Sequence, residues 1–179
     1  MKTWKDIERA TNAQILEWAE AQPWALEMAA CQQDAQWHAE GDVWTHTRLV
    51  CAELERLADW PSLDRAAQLK LLFTALFHDA GKPATTALDT DTGRTRSPKH
   101  ALVGAEIARR VLRELECDLI TREEIYALGV VAVLAVSLLL FLKFGTRPKS
   151  TGSPATASDR KSTRLNSSHL KLSRMPSSA

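Results

Sequence analysis

Apolar residues recur along this chain at helical spacing, and polar turn residues separate the repeats. Thr11 or Asn12 caps a first predicted helix carrying Ile15, Leu16 and Trp18. Pro23 fits the first position of a second, running from Trp24 to about Gln33. Gly41 and Asp42 form a loop and an N-cap before a third helix, Val43 to about Ala58, with Val43, Val50, Leu54 and Leu57 on one face. Pro61-Ser62 opens a fourth, whose apolar face is Leu69, Leu72, Phe73 and Leu76. Residues 83–96 read as a polar loop with a turn at Asp91-Thr92-Gly93. Ser97 and Pro98 start a fifth helix carrying Ala105, Ile107, Ala108, Val111, Leu112 and Leu115, and Thr121 to Glu124 matches a capping box for another. The pattern predicts an all-α fold. Trp4, Trp18, Trp24 and Trp37 suit base stacking or core packing, and buried aromatic area is the commoner use.

The fourth helix ends on His78 and Asp79, followed by Gly81 and Lys82. A carboxylate held at the rim of a core is costly without a positive partner. An imidazole nitrogen beside a carboxylate oxygen suits a first-row divalent metal, although such a pair also fits a partly exposed helix end. Gly81 allows a left-handed turn after the helix, and Lys82 places a cation where a phosphate would bind. His46 lies one turn from Val43 and Val50, so it points to the core side as a hydrogen-bonded core residue or as a ligand. His100, in the first turn of the fifth helix, is either solvent-exposed or a neutral ligand, since a charged imidazole there opposes the helix dipole.

The 179 residues carry a net charge of +1 that hides a split. Residues 1–120 hold 14 Lys and Arg against 19 Asp and Glu, whereas residues 145–179 hold 7 against 1. The acidic body excludes strong non-specific nucleic-acid binding and leaves phosphate binding as a local, metal-assisted matter. Cys31, Cys51 and Cys117 form no CxxC and read as small hydrophobes in a reducing compartment. No apolar signal segment opens the chain.

The pattern changes after Glu124. From Ile125 to Leu142 the chain is apolar apart from Tyr126, Gly129 and Ser137, which is the lower limit for a bilayer-spanning helix. Lys143, Arg147 and Lys149 follow it. Residues 143–179 are rich in Ser, Thr, Pro, Lys and Arg and are expected to be disordered. The ending from Asp159 to Ala179 resembles translated sequencing-adapter DNA, which implies foreign sequence after about Tyr126. The division expected is a lead-in over 1–33, a helical domain over 34–124, an apolar membrane-length helix over 125–142 and a tail over 143–179.

Three motifs in order carry a family resemblance: His38-x-Glu40-Gly41-Asp42-Val43-x-x-His46-Thr47, then His78-Asp79-x-Gly81-Lys82, then Gly93-Arg94 with His100-x-x-x-Gly104-Ala105-Glu106. Over roughly residues 34–125 the chain resembles the HD-domain metal-dependent phosphohydrolases. It is similar to the HD domains attached to bacterial tRNA nucleotidyltransferases and to those paired with a P-loop kinase-like domain.

The resemblance implies an all-α helical bundle holding one or two divalent ions, such as Mn, Ni, Co, Mg or Fe. It implies His46, His78 and Asp79 as ligands and His100 as a second-metal ligand or phosphate contact. Asp79 and Lys82 become the catalytic residues, and a nucleotide or RNA 3′-end phosphate the substrate. Metal-activated water would attack the phosphate ester. A cytoplasmic location follows for the domain, and a membrane-associated one if residues 125–142 span a bilayer. The family pattern also calls for a later Asp, yet the only Asp after Asp118 is Asp159. That departure leaves two expectations: a phosphohydrolase with reduced or absent turnover, or a non-catalytic module that binds a nucleotide or partner and is tethered to a membrane.

Overall fold

Asp64 accepts a hydrogen bond from the Ala67 amide at 2.7 Å and starts the helix on which the others pack, α5 (Arg65–Phe77). In this computed structural model the described residues are 1–33, 41–91 and 93–144, with side chains described up to residue 131. Leu69, Leu72, Phe73, Ala75, Leu76 and Phe77 of α5 are all buried, so the helix lies inside the molecule and not on its face. Each large apolar side chain there contributes about 1.5–3 kcal/mol of burial.

Its neighbours begin with α1 (Trp4–Arg9), α2 (Asn12–Glu20) and α3 (Pro23–Ala30). Trp4 meets Phe73 edge-on with ring centroids 5.1 Å apart, and Trp24 packs 4.7 Å from Phe77 and 6.0 Å from Trp44. The tryptophans that are described therefore pack in or against the core; Trp37 lies outside the described residues. Thr11 caps α2 and Pro23 opens α3, both as the sequence predicts. α1 has no counterpart in the predicted helices. Asp42 caps α4 (Val43–Glu55): its carboxylate accepts from the Thr45 amide and the Thr45 hydroxyl, each at 2.8 Å.

Several predicted boundaries move. Pro61 and Ser62 belong to a single 3-10 turn, Trp60–Ser62, and the cap of α5 is Asp64. The expected loop over 83–96 holds the short helix α6 (Lys82–Thr85) and an antiparallel hairpin, β1 (Ala87–Asp89) with β2 (Arg94–Arg96). Three-residue strands are too short to write an alternation into the sequence. α7 (His100–Glu114) starts after Lys99 in the left-handed region, φ +62°, and not at Ser97-Pro98. α8 (Leu119–Phe144) is capped by Asp118, which accepts from the Thr121 amide at 3.0 Å, so the expected capping box at Thr121 is not the start.

The base of α8 belongs to the helical core. Ile125 is buried, Glu124 pairs with Lys70 of α5 at 2.6 Å, and Glu123 grips Arg109 of α7, whose guanidinium lies 3.6 Å over the Tyr126 ring. The run expected to span a membrane over 125–142 thus spends its first residues on packing, and among the described residues no helix is long and apolar enough to cross a membrane. The side chains of residues 132–144 and all of residues 145–179, including most of the expected disordered tail, lie outside the described residues. Cys51 and Cys117 are buried free thiols, and burial pushes both up to about 12.

Gly81 does not make the expected left-handed turn; its φ is −83°. A Cβ at Gly81 would lie 2.1 Å from the His100 carbonyl oxygen, and one at Gly104 would lie 2.6 Å from the Phe77 carbonyl oxygen. The two glycines let the end of α5 touch the start of α7 backbone to backbone. Gly81→Ala and Gly104→Ala should each lower unfolding stability by about 2–4 kcal/mol. Gly129→Ala, where a Cβ meets nothing within 4 Å, should raise it by up to about 1 kcal/mol. Urea denaturation midpoints of the three variants check this.

Candidate metal centre

The close crossing of α5 and α7 brings side chains from separate elements around one carboxylate. Asp79 follows α5 and is 3% exposed. Its Oδ2 lies 3.2 Å from His78 Nε2, 3.8 Å from His46 Nε2 and 2.7 Å from Lys82 Nζ. Its Oδ1 lies 3.5 Å from His100 Nε2. His46 comes from α4, placed by the Asp42 cap one turn before it. His100 comes from the first turn of α7. All five predicted site residues therefore meet, and Asp79 is their common neighbour. His38, quoted in the first motif, lies outside the described residues.

Burial alone would favour a neutral Asp79, yet His78 and Lys82 outweigh it and hold the carboxyl well below the usual range. Burial likewise favours a neutral His78. Asp79 outweighs that too and raises the imidazole above its ordinary value of 6.5, because both ring nitrogens face acceptors: Nδ1 is 2.7 Å from the Ala75 carbonyl oxygen, and Nε2 faces Asp79.

The donor set fits a divalent cation. His46, His78 and Asp79 each offer one ligand atom, and these atoms lie within 4.8 Å of one another. Two imidazole nitrogens and a carboxylate oxygen form a ligand set common to first-row metals. The ring orientations agree with it. A carbonyl can only accept, so Nδ1 of His78 and Nδ1 of His100, the latter 2.7 Å from the Ser97 carbonyl oxygen, carry the protons. Each Nε2 is thereby aimed at Asp79, in the manner by which outer hydrogen bonds orient metal-binding histidines.

Gln33 and the Thr86–Ser97 contact escape sequence reasoning. Gln33 accepts from Lys82 Nζ through Oε1 at 2.6 Å. Thr86 and Ser97 join hydroxyls at 2.7 Å behind His100. Gln33 stands 49 positions from Lys82 and belongs to no motif, so no local signal marks it. Acids of α8 stay away: Glu123 and Glu124 are engaged by Arg109 and Lys70.

The titrations set the pH behaviour. Asp79, depressed below 3.8, stabilises the fold above that value, and this is lost as pH falls through its folded value. His78, raised above 6.5, stabilises it fully below 6.5, and this is lost as pH rises through its folded value. Metal ligation needs neutral His78, so Mn²⁺ binding near pH 6.5 should release a proton. Release should fall toward zero as pH rises past the raised His78 value. Calorimetry in buffers of different ionisation heat measures the proton number at each pH.

Residues 43–129 match the protein family described as HD domain. Over 69 residues the chain is 46% identical to a CC-adding tRNA nucleotidyltransferase of Thermus thermophilus, a match covering 38% of this chain and 14% of that protein. Over 50 residues it is 46% identical to an A-adding tRNA nucleotidyltransferase of Deinococcus radiodurans, covering 28% of this chain and 12% of the relative. The chain thus matches only a small part of the curated relatives' length. No solved structure matches it. The helices, the order His46, His78-Asp79, His100 and the family match agree, and residues 43–129 of this chain are an HD domain.

Proposed function

We propose that this HD domain is a metal-dependent phosphohydrolase acting on a nucleotide or RNA 3′-end phosphate ester. The observation that carries the reading is the convergence of His46, His78, His100 and Lys82 on buried Asp79. His46, His78 and Asp79 would hold a divalent ion such as Mn, Ni, Co, Mg or Fe. Bound there, the cation would lower the pKa of water and polarise a phosphoryl oxygen. Asp79 supplies the negative charge that attracts the ion. His78 and His100 keep their Nε2 atoms aimed inward through the Ala75 and Ser97 carbonyls. Lys82 offers the ammonium that meets the phosphate's negative charge, and His100, on the opposite carboxylate oxygen, contacts either phosphate or a second ion. The relatives' names concern tRNA, which favours an RNA end over other phosphate esters. The reading needs neither a membrane tether through 125–142 nor a P-loop kinase-like partner domain.

A second reading, a module that binds without turnover, is favoured by one observation: the acids of α8 pair with Arg109 and Lys70 and add no carboxylate to the centre.

Phosphate release from an RNA bearing a 3′-phosphate and from nucleoside monophosphates, with ring opening of a 2′,3′-cyclic phosphate to the monoester, separates the readings. With added Mn²⁺ the full chain should release phosphate, EDTA should stop it, and Asp79→Ala or His78→Ala should lower the rate by about 100-fold or more. Release indifferent to EDTA and to both substitutions overturns the proposal. Substrate binding that survives EDTA with no release in Mn²⁺, Ni²⁺ or Co²⁺ selects the second reading.

A further inference from the structure

Asp79 Oδ2, the oxygen on which the two histidines converge, already has a cation on it. Lys82 Nζ lies 2.7 Å away, with the lysine side chain only 14% exposed. A divalent ion held by His46, His78 and Asp79 must share that oxygen with the ammonium or displace it, and two cations on one buried oxygen repel strongly because little water screens them.

Among the described residues the Lys82 ammonium meets one other side chain, the Gln33 side-chain oxygen at 2.6 Å. Gln33 is itself held. Its amide nitrogen donates to the Asp42 carbonyl oxygen at 3.4 Å, and its backbone N–H donates to the Gly41 carbonyl oxygen at 2.9 Å. Asp42 caps the helix that carries His46, so Gln33 is tied to the same framework as the ligands.

We infer that Lys82 is the resident counterion of Asp79, displaced when a metal ion binds, and that Gln33 is the positioning residue that keeps the displaced ammonium at the centre. This rests on the metal-centre reading above. Before metal binds, the Lys82 ammonium, 2.7 Å from Oδ2, is the counterion of Asp79. Once metal takes Oδ2, the ammonium keeps a hydrogen bond to neutral Gln33 but loses its anion. A full positive charge then stands unpaired beside the metal, which is where an oxyanion of the substrate is needed. Phosphate and metal binding thereby become cooperative, each favouring the state the other requires.

A double-mutant cycle on the full chain tests this, with Mn²⁺ as the probe and calorimetric Kd as the readout. Circular dichroism and Tm without metal check the fold of each variant. Lys82→Met, which removes the competing cation, should bind Mn²⁺ about tenfold more tightly and show a larger Mn²⁺-induced rise in Tm. Gln33→Leu should weaken Mn²⁺ binding about threefold while Lys82 is present and leave it unchanged in the Lys82→Met background. Gln33→Glu, which gives the ammonium an anionic partner away from Asp79, should tighten binding only while Lys82 is present. Unchanged or weaker binding by Lys82→Met overturns the inference, as does a Gln33→Leu effect of equal size in both backgrounds. Those outcomes leave the metal centre standing if the wild-type chain binds Mn²⁺ and Asp79→Ala does not. No Mn²⁺ binding by the wild type or Lys82→Met overturns both.

Discussion

A single buried charge governs this molecule. The Asp79 carboxylate is 3% exposed, and an ionised carboxylate taken out of water without partners would neutralise itself or prevent folding. Its compensation comes from His78 at the end of α5 and Lys82 on α6, and His46 on α4 and His100 on α7 stand within 4 Å of it. Separate helices are therefore tied to one atom group. Packing α5 correctly is a matter of apolar area, but packing α4 and α7 against it at the right rotation is also a matter of satisfying Asp79. A charge that one favourable pair could have compensated is surrounded instead by several polar groups, more than stability alone requires. Buried ionic groups are weak evidence for stability, and such a surplus of ligand-type groups is a mark of function.

The geometry that permits this surplus is a contact of backbones. Gly81 and Gly104 face each other where α5 ends and α7 begins, with each Cβ position already filled by the other segment. The carbonyls of Ser97 and Ala75, each three residues earlier in the chain, hold the rings of His100 and His78. Ring orientation in the centre is thus set by main-chain atoms, which are the stiffest parts available.

The sequence exposes one half of this arrangement and conceals the other. His78-Asp79 is legible because two polar ligand types close an otherwise apolar helix, and His46 because the Asp42 cap fixes the phase of α4. Thr11 and Pro23 declare helix starts through local chemistry. The all-helical character follows from spacing, although the hairpin between α6 and α7 is too short to betray itself. The Gly81 residue signals special backbone, but whether it serves a left-handed turn or a close approach depends on what lies opposite, and Gly104 is 23 positions away. Gln33 carries no local mark, since its partner Lys82 is brought to it only by the packing of α3 and α4 on α5. Lys99 shows the same limit: Ser97-Pro98 is good local grammar for a helix start, yet the loop that must present Ser97 to His100 overrides it.

The apolar run after Glu124 can be placed by asking what the centre needs from it. Among the described residues α8 gives the core Ile125 and gives α5 and α7 the pairs Glu124–Lys70 and Glu123–Arg109. These lie on the faces that close the bundle. The described side chains around Asp79 come from residues 46 to 100, so the described side chains of α8 stabilise the domain without shaping the donor set. The change of composition after Tyr126 therefore lies beyond the part of the chain that arranges His46, His78, Asp79 and His100, which rests on α4, α5 and α7.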